Sequence, residues 1–396
     1  MNQALIELSQ NKIEKSKVLF EELADRSDGA AQYNLAMLLL RSAGNESHGR
    51  ARNLMLKSAR QGFEMAQFNL GTLYLNGVGG PVDLESAIFW FEKSAENGDV
   101  EAQFLVGRML CEGKGRASNP VKAVKWLVRA AHSHHLEAAF QLGKLYYDGL
   151  GSKSNHQKAF AWFQYAAQEG HPSAWHAMGI MSLKGEEVPI DPIRARDWFE
   201  EAARDSYAPS QYILASFLLN GIAGDTDFQR AALLAKQSSD SGYAPAQYLL
   251  GKLHYQGKGV SLSQRKAFTW IQKAALAGYA RAQGDLGKMF LKGIGTNVDE
   301  IQAFKWLKGG AEGLDAEAQY NLGLLYLNGF GTRMDLKEAA TWFLRAAQQG
   351  HAGGQYSLGL MYYKGLGMRR DLEQASRWIR KAASKDHRPA VLFLET

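Results

Sequence analysis

One 36-residue unit, repeated in register from residue 66 to residue 390, leaves this chain few ways to fold. The first half of the unit reads Ala-Gln-aromatic-x-Leu-Gly-x-Leu-Tyr-x-x-Gly-x-Gly. The second half reads Asp-x-x-x-Ala-x-x-Trp-x-x-x-Ala-Ala-x-x-Gly. Copies start at Ala66, Ala102, Ala138, Ala174, Ser210, Ala246, Ala282, Ala318 and Gly354, with a degenerate copy near Ala30 and a partial one at Ala390. A supersecondary unit of this size cannot bury its apolar face alone, so consecutive copies must stack into an array with one continuous core. Such an array offers surface rather than a pocket, which favours holding partners.

Each unit reads as two helices. In the first, apolar residues fall at i, i+3 and i+4, as in Leu70, Leu73 and Tyr74 or Leu322, Leu325 and Tyr326. A glycine follows the first leucine at Gly71, Gly107, Gly143, Gly179, Gly251, Gly287, Gly323 and Gly359. A mid-helix glycine costs about 1 kcal/mol against alanine, so its recurrence implies close approach of the paired helix. A later glycine, Gly77 to Gly365 in all nine copies, ends that helix in the left-handed conformation. The second helix starts at a capping residue: Asp83, Asn119, Asn155, Asp191, Asp227, Ser263, Asp299, Asp335 or Asp371. Alanine four residues on and the closing Ala-Ala pair let helices approach. Trp90, Trp126, Trp162, Trp198, Trp270, Trp306, Trp342 and Trp378 are expected to fill the remaining core volume.

This constellation resembles the Sel1-like repeat, a relative of the tetratricopeptide repeat, over roughly residues 30–390. The resemblance implies an all-α fold, a superhelical solenoid of stacked antiparallel helix pairs. It also implies an adaptor for protein complexes. A secreted branch of that family carries a disulfide in each repeat. Cys111 is the one cysteine here, so no internal disulfide forms and that branch's properties do not transfer.

Three segments follow: capping helices over 1–29, the array over 30–389, and a short apolar cap over 390–396. The last either covers the final apolar face or seeks a partner, including a second copy of the chain. In the first unit the segment Arg41-Ser42-Ala43-Gly44-Asn45 replaces the glycine turn. The unit at Ser210 carries Ala215 for glycine, Leu234 for tryptophan and Ser238-Ser239 for the Ala-Ala pair. With the odd turn Gly185–Ile190 it marks 185–240 as a change of curvature, a softer joint, or plain drift. The N-terminus has no basic region and carries Glu7 in its only short apolar stretch, so neither a secretory signal nor a spanning helix is expected. A cytoplasmic location is the default reading.

No metalloprotease, nucleophile-elbow, phosphate-loop or paired-cysteine motif is present, and no cofactor is expected. Gly113-Lys114-Gly115 and Gly257-Lys258-Gly259 are ordinary inter-helix turns. Ser263-Gln264-Arg265-Lys266 matches the Ser-x-x-Lys of penicillin-recognising enzymes, but Ser263 stands in the capping slot. His132, His134 and His135 cluster at a helix C-terminus, where imidazolium complements the dipole; a metal would need ligands from a neighbouring turn. Cys111, one turn from Arg108, reads as apolar filler or as a modifiable thiol.

The non-core stripe of the first helices is the expected inner, concave wall. Its first row is aromatic: Phe68, Phe104, Phe140, Tyr212, Tyr248, Tyr320 and Tyr356, broken by His176. These rings either face a partner or pack between repeats. The remaining rows supply the candidate contacts Arg108, Lys144, Tyr147, Lys252, Tyr255, Lys288, Lys292 and Tyr363. They point to a non-enzymatic scaffold that grips an acidic or C-terminal peptide segment of a protein partner. Single-stranded RNA is the second reading. The net charge of +6 favours it, and the lack of a polar pair repeating from unit to unit opposes it. A cell-wall or β-lactam hydrolase is the third, suggested only by distant members of the resembled family.

Overall fold

The computed structural model describes residues 1–10, 12–42, 44–150, 154–186 and 189–395. Among these residues there are 23 helices and no strand, most helices being 13 residues long. They form two compact units, Met1–Asp191 and Pro192–Thr396. Within each unit every helix packs on its partner in the same repeat and then on the first helix of the next. The protein is an all-α repeat solenoid.

Local chemistry sets the period. Gly77, Gly113, Gly149, Gly185, Gly221, Gly257, Gly293, Gly329 and Gly365 close the first helices with φ between 64° and 74°. The following turn is clamped by one recurrent bond, from the amide of the next cap back into the helix just ended. Asp83 donates to the Tyr74 carbonyl at 3.0 Å and Asp299 to that of Phe290 at 3.0 Å. The cap side chain then accepts an N–H of the second helix's first turn, as at Asp83, Asn119, Asn155, Asp227, Ser263, Asp299, Asp335 and Asp371. Each such cap stabilises its helix by roughly 1 kcal/mol.

The mid-helix glycines admit a large side chain from the paired helix. A Cβ on Gly71 would stand 2.7 Å from Phe91, on Gly143 2.5 Å from Phe163, and on Gly287 2.6 Å from Leu307. These contacts narrow the core assignment of the tryptophans: Trp342 is in the core, while Trp90, Trp126, Trp306 and Trp378 pack against it only partly buried. The residue after each of the repeat tryptophans is the more deeply buried one, at 3% exposure or less: Phe91, Leu127, Phe163, Phe199, Ile271, Leu307, Phe343 and Ile379. Successive helical residues are turned by about a quarter of a revolution or more. When the follower points at the glycine, the indole is swung towards a neighbouring repeat. Only Trp342 is buried, and several indoles lie under a cation of their own helix, as Trp270 under Lys273 at 4.2 Å and Trp378 under Lys381 at 4.4 Å.

The divergent unit at Ser210 obeys the same rule in reverse. At the register of Phe91 it carries Ala235, which leaves room for the Cβ of Ala215 where other units have glycine; both alanines are fully buried.

Buried glutamines tie most repeats to their predecessors. Gln67, Gln103, Gln247, Gln319 and Gln355 each donate an amide N–H to a carbonyl eight residues back, at 3.1–3.5 Å. The acceptors lie in the last turn of the preceding second helix, where carbonyls have no helical partner. Gln283 makes the same bond to Ala275 at 3.1 Å.

The terminal elements close on the core. The Ser16 hydroxyl donates to the Ala4 carbonyl at 2.9 Å, and Phe20 is fully buried. The helix Arg388–Glu395 buries Ala390 and sets Phe393 against Tyr356 and Tyr363, while Leu392 and Leu394 stay exposed. Ala43, and Glu187 and Val188 of the odd turn, lie outside the described residues, as does Thr396.

Candidate binding face of the first helices

The aromatic row faces the seams between repeats. Phe104 stacks on His135 with centroids 4.4 Å apart, Phe140 on His171 at 4.7 Å and Tyr320 on His351 at 4.7 Å. Tyr212–Tyr243 and Tyr248–Tyr279 pair at 5.7 and 5.5 Å. In each pair the second ring belongs to the residue just before the next repeat's first helix. The histidines add a polar latch. Nε2 of His135, His171 and His351 lies 3.1, 3.0 and 2.8 Å from Glu101, Glu137 and Glu317 respectively. The Glu317 carboxyl is held down to about 2, first by its bond to His351 and further by Lys288, against some burial.

The candidate contacts divide between the two units. In Met1–Asp191, Arg108 is exposed and rests 5.5 Å from the Phe104 ring. Lys144 is exposed. The Tyr147 hydroxyl accepts a bond from Lys184 Nζ at 2.7 Å, and its ring stacks on His156 at 5.1 Å. That bond raises the Lys184 pKa. Lys184 was not among the sequence candidates, although it stands at the same repeat position as Lys292.

In Pro192–Thr396, Lys252, Tyr255, Lys288 and Lys292 converge on one cleft of about 170 Å³, shared with Ile271, Asp285, Met289 and Ile294. Asp285 organises it. Its Oδ1 accepts Lys288 Nζ at 2.7 Å, its Oδ2 accepts the Tyr248 hydroxyl at 2.7 Å, and Lys252 Nζ stands 3.7 Å away. Burial alone would raise the Asp285 pKa, but Lys288, Tyr248 and Lys252 outweigh it and hold the carboxyl below its usual range. Burial likewise opposes charge on Lys288, and Asp285 and Glu317 reverse that, raising its pKa. The Tyr248 hydroxyl is pushed far up, by burial first and then by the Asp285 charge. Tyr363 lies elsewhere, 41% exposed, with Phe393 edge-on at 5.4 Å and Arg370 Nε donating to its carbonyl at 3.0 Å.

The other sequence candidates resolve into structural roles. His135 caps the helix Leu136–Asp148, its Nδ1 accepting the Ala138 amide at 3.1 Å. His134 takes a left-handed φ of 62° with Nδ1 3.2 Å from the Tyr165 hydroxyl, and His132 packs near Trp162. The three rings therefore diverge, and among the described residues no three potential metal ligands converge. The Cys111 thiol is pushed up to about 11, chiefly by burial and then by Glu112. It packs against a core cluster that includes Phe91 and Leu110, which bears out the apolar-filler reading over that of a modifiable thiol. Ser263 accepts the Lys266 amide at 3.3 Å as a helix cap. No described helix is long and apolar enough to cross a membrane.

The Sel1 repeat profile matches ten segments: residues 29–63, 64–99, 100–135, 136–171, 172–207, 208–243, 244–279, 280–312, 316–351 and 352–387. The chain belongs to the Sel1 repeat family. Among solved Sel1 structures, c5321, a protective antigen of uropathogenic Escherichia coli, is 28% identical with a TM-score of 0.64. That match covers 94% of this chain and 88% of the other. A Sel1 repeat protein from Oxalobacter formigenes is 30% identical with a TM-score of 0.59, covering 78% of this chain and 90% of the other. No curated protein sequence matches.

Proposed function

We infer that this Sel1 repeat chain is a scaffold that holds a protein partner on the non-core face of its first helices. The observation that carries this reading is the meeting of Lys252, Tyr255, Lys288 and Lys292 around one cleft. Partly exposed cations beside an aromatic ring on packed helices suit an acidic segment of a partner, where opposite charge speeds encounter and fixes register. Arg108, Lys144, Tyr147 and Tyr363 are subsidiary contacts in this reading.

RNA binding has less support. The rings that could stack bases lie in the seams, paired with one another or with histidine.

The test is a pull-down with mass spectrometry, comparing the wild-type chain with Lys144→Ala/Lys252→Ala/Lys292→Ala, which leaves the Lys288–Asp285 pair in place. Loss of the captured partner with an unchanged melting curve supports the assignment. Undiminished capture by the folded variant rejects it. A parallel titration against single-stranded RNA should show no steeply salt-dependent binding.

A further inference from the structure

We propose that the cleft between the 246 and 282 repeats receives the C-terminal residue of a partner chain, its α-carboxylate against Lys252 and Lys292 and its aliphatic side chain against Ile271, Met289 and Ile294. The inference rests on the scaffold reading and specifies what part of the partner is held.

Charge sets the first constraint. Lys288 is engaged by Asp285 at 2.7 Å and lies 3.7 Å from Glu317. Both Asp285 oxygens are occupied, one by Lys288 and one by Tyr248. Lys252, at 3.7 Å from Asp285, is beyond hydrogen-bond distance, and Lys292 has no acceptor among the described residues. Three ammonium groups line the cleft with Asp285, and Glu317 and Asp315 also act on Lys288, so any excess of positive charge is small. The cleft also lies beside the C-terminal turns of the helices Ala244–Gln256 and Ala280–Lys292, whose dipole ends are negative. A multiply charged phosphate would meet both Asp285 and those carbonyl ends; a single carboxylate suits the two free donors.

Size and lining set the second. At about 170 Å³ the space falls below the roughly 300–1,000 Å³ of small-molecule sites, so it fits one residue rather than a whole cofactor. Its wall joins lysines directly to Ile271, Met289, Ile294 and the Tyr255 ring. An internal aspartate or glutamate ends in its carboxylate and brings no apolar group beside it. A C-terminal residue carries both on one Cα, which matches the adjacency of the ammonium and aliphatic groups.

The test uses the full chain and three fluorescent libraries of eight-residue peptides, randomised at the last three positions. One ends in a free carboxylate, one in an amide, and one in a phosphoserine amide. Selection of free-acid peptides with an aliphatic last residue is expected. Affinity for them should fall about tenfold in Lys252→Met and in Lys292→Met, the loss of one charge-assisted hydrogen bond, and stay unchanged in Lys125→Met on the helix Pro120–His132. Equal or better binding of amidated or phosphorylated peptides overturns the inference. So do failure of every library and indifference to both cleft substitutions. If the pull-down partner still depends on the lysines while the free-acid library is not preferred, this inference falls and the scaffold reading stands. If capture ignores the lysines, the scaffold site itself falls.

Discussion

The Tyr248 hydroxyl reaches across a repeat boundary to donate to Asp285 Oδ2 at 2.7 Å, with Lys288 on the other oxygen at 2.7 Å. An acid thus sits in the floor of a lysine-lined cleft and fixes the cations around it. Replacing Asp285 with Asn leaves Lys288 half-buried without its counter-ion. Stability should fall by about 1–3 kcal/mol in urea unfolding. Affinity for an acidic peptide should rise in the same variant, because the cleft becomes more positive. Unchanged stability would mean that Asp285 is solvated rather than structural.

Glu317 makes a pH-dependent contribution. Its folded-state pKa of about 2 lies below its usual 4.5, so its bond to His351 stabilises the fold above pH 4.5 and is lost as pH falls towards 2. Glu317→Gln should therefore melt below wild type at pH 6, and the two melting temperatures should converge as the pH approaches 2. A gap that is constant with pH would remove the ion-pair account.

Two helical glycines should respond in opposite directions to alanine. Gly143→Ala gains helix propensity but drives a Cβ into Phe163, and overpacking of about 1–3 kcal/mol should win. Gly49, in the helix Asn45–Arg60, has the Gly79 carbonyl oxygen 3.8 Å from the added Cβ. Gly49→Ala should stabilise by about 0.5–1 kcal/mol. Thermal melts of the two variants read the contrast directly.

Gln319 donates to the Ala311 carbonyl at 3.1 Å and is 1% exposed. Gln319→Ala should cost about 1–3 kcal/mol, the penalty for a buried acceptor left unpaired. Gln319→Glu should cost more, since a carboxylate brings no donor. Denaturant midpoints check both.

Cys111, with its thiol pushed up to about 11, is almost wholly un-ionised at neutral pH. Its reaction with an aromatic disulfide reagent should be slow in the native chain and should reach the free-thiol rate only on unfolding. Rapid native labelling would contradict its burial.

Much of the fold could be read from the sequence because its punctuation is local. Cap residues, helix-ending glycines and mid-helix glycines each act within their own unit, and Gly71, Gly77 and Asp83 do what their spacing implies. How deeply the tryptophans are buried is harder to read, because Trp90 and Phe91 are adjacent and both apolar, and periodicity alone does not say which of them meets Gly71. The aromatic row carried a missed signal: a ring recurs 31 residues after several of its members, from Phe104 to His135 and from Tyr212 to Tyr243. That spacing marks a pair across a seam. Four of the candidate contacts share one cleft, but its central acid went unnoticed. Asp285 is a single departure in one unit, and its partners, Tyr248 and Lys288, lie 37 residues before it and three after it.

Where a glutamine closes a second helix, it belongs to the repeat that follows. The pattern of the alphabet and the pattern of self-sufficiency are therefore out of phase by half a period. Anyone excising a block of this array should keep the first helix that follows it, so that the borrowed amide travels with the carbonyl it serves.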